Sequence, residues 1–91
     1  MKPTNISSLE IIKELPAEEA VLKLNDYILV FPNDDEAYTL RGLKFWSLNR
    51  RKEAINDYLT AIKINPNSRA KMALQFANSI LDYYNKDLLN P

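Results

Sequence analysis

Ninety-one residues suffice for one domain with one modest core, and 46% apolar with 26% charged residues is ordinary for a soluble globular protein. No Cys and no His occur, which excludes disulfides, thiol nucleophiles, histidine bases and the usual zinc sites. Twelve basic residues balance twelve acidic ones, so the broad basic face that nucleic acid requires is missing.

The first eight residues, Met1 to Ser8, lack an apolar run long enough for a signal peptide, and no stretch has the length to span a bilayer. A cytoplasmic setting is the expectation. Ser7-x-x-Glu10 fits a capping box, and Leu9, Ile12 and Leu15 follow at helical spacing, which predicts a short first helix ended by Pro16. A second helix is predicted over 17–31. Its stripe is Ala20, Val21, Leu24, Ile28 and Phe31, bordered by Leu22, Tyr27 and Leu29. Pro32-Asn33-Asp34 stops it and caps the next. A third helix is predicted over 35–48, with Asn49 in a turn that needs a left-handed residue. The fourth, over 52–64, carries Ala54, Tyr58 and Ala61 on one face, beside Ile55, Leu59 and Ile62. Asn65-Pro66-Asn67-Ser68 closes it and caps a fifth over 69–84, with Ala70, Ala73, Leu74, Ala77, Leu81 and Tyr84 inward. Residues 85–91 read as a polar tail ending in Leu88, Leu89 and Pro91. With one Gly in the chain and no strand signal, the fold class is all-α with about five helices.

Between 35 and 68, small residues (Gly42, Ala54, Ala61) alternate with rings (Tyr38, Phe45, Tyr58), and Pro66 follows near the end. This alternation resembles the tetratricopeptide repeat family, whose period is 34 residues. The resemblance implies an antiparallel helix-hairpin array, a right-handed α-solenoid, that binds proteins as a scaffold without cofactor or catalysis. One period earlier Ala20, Leu24 and Pro32 match the pattern, while Tyr27 stands where the family has a small residue. The expected organisation is one domain over 1–91: a degenerate repeat at 7–34, a clear repeat at 35–68, a closing helix at 69–84 and a tail at 85–91. Arg41 and Arg51 occupy positions that are usually apolar or aromatic, where each can bury its stem and keep its guanidinium wet.

The resemblance also places ligand contacts on the first helix of each hairpin, here at Glu36, Thr39, Leu43, Trp46 and Ser47. Spacing agrees: Thr39, Leu43 and Trp46 share a helix face next to the one formed by Tyr38, Gly42 and Phe45. Leu9 and Ile12 fall on the equivalent face of the first helix. Leu9, Ile12, Leu43 and Trp46 then line a shallow apolar groove for a peptide or helix, anchored on Trp46; the alternative is that they are simply core. Family members that clamp a terminal carboxylate use Lys, Asn and Arg at positions held here by Asn5, Leu9, Leu40, Ala70 and Leu74. Only Asn5 is polar, so a more apolar ligand is expected.

The fifth helix has a second stripe, Met72, Phe76, Ile80 and Tyr83, which either lies under the tail through Leu88 and Leu89 or serves self-association. The expected function is non-catalytic protein–protein interaction through the groove. The alternative is a scaffold module that dimerises through Met72, Phe76 and Tyr83. Acidic pairs have no supporting base, nucleophile or phosphate loop, so no enzymatic site is visible. Neither nucleic acid nor membrane is an expected partner.

Overall fold

The computed structural model describes the backbone of residues 2–89 and the side chains of 8–83. Five helices follow in chain order: α1 Lys2–Lys13, α2 Ala17–Val30, α3 Asp35–Ser47, α4 Arg51–Ile64 and α5 Ala70–Leu89. No strand occurs among the described residues, and the all-α expectation holds. Each helix packs mainly on its neighbours in sequence, most extensively α3 on α4. The chain measures 53 × 27 × 18 Å along its principal axes. No described helix is long and apolar enough to cross a membrane.

Local chemistry sets the joints. Asp34 caps α3 by accepting the Glu36 N–H at 3.1 Å, and Ser68 Oγ accepts the Ala70 N–H at 3.1 Å at the start of α5. Asn49 has φ 63, the left-handed position foreseen for it. Around it, Arg50 N–H donates to Phe45 O and Asn49 N–H to Trp46 O, at 2.9 and 3.0 Å. These are the two bonds of a Schellman turn, and they satisfy carbonyls that α3 would otherwise leave orphaned.

Two expectations need correction. α1 begins at Lys2, so Ser7 lies inside the helix and the capping box is not its start; Pro3 is compatible with a first turn, where its missing N–H costs nothing. α5 continues to Leu89 rather than ending at Tyr84. Neither Gly nor Pro interrupts 69–90, and Asn85 alone does not stop a helix already propagating. Residues 85–89 therefore extend the helix axis, with no chain reversal that would fold a tail back over α5; the Leu88 and Leu89 side chains lie outside those described.

The core forms two adjoining clusters. Ile12, Ala20, Leu24, Tyr27 and Ala37 join α1, α2 and α3. Val21, Phe45, Ala54, Tyr58, Ala61, Ala70 and Ala77 join α2 through α5. Helices α3 and α4 approach closely at Gly42, where a Cβ would lie 2.5 Å from Tyr58 Cε1 and 3.2 Å from the Ala54 carbonyl oxygen. The absence of a side chain there lets α4 press its tyrosine against the α3 backbone.

Arg41 departs from the expectation of a solvated guanidinium. It makes a two-pronged pair with Asp57, Nε to Oδ2 at 2.8 Å and Nη2 to Oδ1 at 2.9 Å, while Nη1 donates to Asn25 Oδ1 at 2.9 Å. The Asp57 side chain is only 3% exposed. One guanidinium thus ties together α2, α3 and α4, and the Asp57 hydrogen bond holds its pKa above the ordinary arginine value. Arg51 instead lies over the Trp46 ring, 4.7 Å from its centroid.

Tyr27, too large for the family pattern, is accommodated by a polar partner: its buried hydroxyl donates to Asp34 Oδ2 at 2.6 Å. Burial first, then the Asp34 hydrogen bond and charge, raise the Tyr27 pKa well above 10. A phenol whose folded pKa is raised stabilises the fold fully below the unfolded value of about 10, and that contribution is lost as pH rises beyond it. Thermal melts against pH should therefore show stability falling above about pH 10. The decline should be shallower in Tyr27→Phe; an equal slope in both proteins would show that Tyr27 does not carry it.

Candidate binding groove

Three helices contribute to one concavity. α1 supplies Leu9, Glu10 and Lys13, α3 supplies Glu36, Thr39, Leu40 and Leu43 with its cap Asp34, α5 supplies Ala73, and Arg69 stands in the turn just before α5. The groove holds about 610 Å³. Leu9, Leu40, Leu43 and Ala73 are its apolar lining residues, and Glu10, Lys13, Asp34, Glu36 and Arg69 its charged ones.

The walls are held by polar links between helices. Lys44 Nζ donates to the carbonyls of Lys13 at 2.8 Å and Leu15 at 3.2 Å, so a cation on α3 satisfies the open end of α1. Thr39 is 4% exposed, and its hydroxyl donates to Asp35 O at 2.9 Å. Thr39 Oγ1 also lies 3.2 Å from Ser68 Oγ. With the threonine proton already committed, the Ser68 hydroxyl is the donor of that pair, which joins the floor of α3 to the cap of α5. On the rim, Arg69 Nη2 donates to Glu36 Oε1 at 2.6 Å. The Arg69 pKa is raised by that bond and the Glu36 charge, with Glu10 and Asp35 adding. Both partners are well exposed, so the pair adds little stability and can open to a ligand.

The expected contact residues divide. Leu9, Glu36, Thr39 and Leu43 come together in the groove. Ile12 does not: it is 8% exposed and packs with Ala20, Leu24, Tyr27 and Ala37. Trp46, expected as the anchor, packs on the α2–α5 core cluster beneath Arg51 and is not a lining residue. Ser47 is exposed and donates to Lys44 O at 2.8 Å, also outside the lining. Met72, Phe76 and Tyr83 are exposed on α5, away from the groove lining.

Sequence reasoning missed Glu10, Lys13, Asp34, Leu40, Arg69 and Ala73 as lining residues. Ala73 was within reach, since it stands one 34-residue period after Thr39 just as Leu43 stands one period after Leu9. The charged members carry no periodic signal. Among the described residues, no group of three or more His, Cys, Asp or Glu is arranged to hold a metal ion.

The fold and groove together define an all-helical protein with a part-apolar cleft across three of its helices. Comparison with protein-family models, with curated proteins and with solved structures finds no match to this chain.

Proposed function

We propose that this chain is a non-catalytic protein-interaction module, a short tetratricopeptide-like array that seats an apolar peptide or helix between α1, α3 and α5. The observation that carries the reading is the groove itself, in which Leu9, Leu40, Leu43 and Ala73 converge from three helices in a lining that also holds charges of both signs. The tetratricopeptide reading draws further support from the Gly42–Tyr58 contact, the left-handed Asn49 and the capped joints at Asp34 and Ser68. The cytoplasmic setting rests on the cysteine-free sequence.

Leu43 is the residue to change, because at 48% exposure its loss leaves the core intact. Selection from a displayed library of random peptides should enrich ligands with an apolar anchor. Those ligands should bind Leu43→Asp at least about tenfold more weakly, the effect of placing a charge where a buried contact forms. Its melting temperature should stay close to that of the parent. A library that yields no ligand, or ligands indifferent to the charge at position 43, would remove the groove reading.

A further inference from the structure

Arg69 meets more negative charge than it can neutralise. It stands in the turn before α5 with its side chain 75% exposed, and it reaches Glu36 on α3 at 2.6 Å. That bond, then the charges of Glu36, Glu10 and Asp35, raise its pKa above the ordinary arginine value. Three carboxylates from α1 and α3 therefore bear on one guanidinium. Asp35 accepts from the Asn65 amide at 3.3 Å, and Asp34 accepts from the Tyr27 hydroxyl and the Glu36 N–H. These donors are neutral and leave both charges in place. Glu10 makes no hydrogen bond or ion pair with a described residue. Lys13, one turn on from Glu10, is the second cation of the lining, so the lining carries more negative than positive charge. The carboxylates also border the apolar residues: Leu9 precedes Glu10 on α1, and Leu40 stands one turn after Glu36 on α3.

We propose that the occupant of the groove is a cationic apolar peptide, whose Lys or Arg enters between Glu10 and Glu36 while its apolar side chains cover Leu9, Leu40 and Leu43. This inference rests on the groove reading and adds to it the sign of the ligand's charge. Charge complementarity selects the occupant. An acidic or phosphorylated segment would meet surplus carboxylate, and the guanidinium that could receive it is already engaged by Glu36. A cation finds Glu10 unpaired and Glu36 held only by an exposed pair, which exchanges partners at little cost. Arg69 is then a placeholder, an intramolecular cation that occupies Glu36 until the ligand's own cation takes its place.

Peptides selected from a displayed random library on the parent protein, then synthesised and measured by fluorescence anisotropy, test it. Lys and Arg should outnumber Asp and Glu among the enriched sequences. Replacing the peptide's cation by Gln should weaken binding about tenfold, and Glu10→Gln and Glu36→Gln about threefold each, the scale of exposed ion pairs. In the protein with both carboxylates neutralised, the peptide substitution should cost nothing further, which ties the cation to those two residues. Arg69→Gln should tighten binding about threefold, because the internal competitor is gone. Weaker binding by Arg69→Gln would mean that the arginine receives a ligand carboxylate, and would overturn the inference. Peptides that lose affinity on Leu43→Gln, a change that adds no charge, yet carry no cation would also overturn it and leave the groove standing. A library with no binder, or with binders indifferent to Leu43→Gln, removes the groove reading and this inference with it.

Discussion

Arg41→Met should lower the free energy of unfolding by about 3 kcal/mol, the low end of what removing one partner of a buried ion pair costs. The lower end applies because the Arg41 side chain is 20% exposed and water can partly replace it. Asp57, at 3%, is the reason for the size of the effect: its carboxylate would remain inside with both of its guanidinium donors gone. The methionine keeps an apolar stem but loses the guanidinium carbon that lies 5.6 and 5.7 Å from the Tyr38 and Phe45 ring centroids, so the loss reports the ion pair together with these ring contacts. Urea unfolding measures it, and in a domain of this size the melting temperature should drop on the order of 15 °C. Adding Asp57→Leu should recover much of the loss, since an apolar pair of similar volume leaves no unpaired charge. If Arg41→Met costs less than about 0.5 kcal/mol, the typical range for surface changes, the pair does not hold the three helices together.

The second large effect is at Gly42. A methyl group there gains about 1 kcal/mol in helix propensity over glycine. It also meets Tyr58 Cδ1 at 2.7 Å and Cε1 at 2.5 Å, atoms of a buried ring rather than the end of a flexible chain. Tyr58 is only 2% exposed, and the Ala54 carbonyl is 3.2 Å from the same point. Overpacking of this kind costs up to about 3 kcal/mol, so Gly42→Ala should destabilise by about 2 kcal/mol net. The same substitution on an exposed helix face would stabilise, so the sign of the change is the test. Pairing Gly42→Ala with Tyr58→Leu should relieve part of the clash, which a double-mutant cycle would read as favourable coupling.

Much of the fold was legible because its signals are local. Pro16, Pro32, Asn49 and Pro66 mark the joints, and between them apolar spacing fixes which face turns inward. The Gly42–Tyr58 contact could be read from the alternation of small residues and rings. The Arg41–Asp57 pair could not, because it links two residues on different helices and no short-range pattern announces it. Of the four apolar residues expected together, Leu9 and Leu43 line the groove while Ile12 and Trp46 do not, and one cause covers both. Ile12 and Trp46 each follow a groove leucine by three residues, a step that turns roughly 60° around the helix. Spacing gives a stripe but not which edge of it stays open. The packing of neighbouring helices decides that, and here it draws both residues inward. The charged rim was invisible for a different reason: Lys13, Glu10 and Arg69 resemble any solvated surface until three helix ends converge. The extension of α5 through Leu89 shows that a polar residue such as Asn85 is a poor stop signal without Gly or Pro beside it.

The helices touch chiefly in the order in which the chain makes them, and the least extensive of these neighbour contacts is that of α1 with α2. Packing so local in sequence gives a low contact order, so ring closure costs little entropy and folding belongs to the fast, helical regime of microseconds to milliseconds. The same locality should make resistance to opening graded along the chain, with the extensively packed α3–α4 pair as its firmest unit. Because α1 carries Leu9, Glu10 and Lys13, one side of the cleft is built by the first helix of the chain. Whatever settles between α1 and α3 would fasten that piece, and part of its binding energy would appear as slower solvent exchange of the α1 amides.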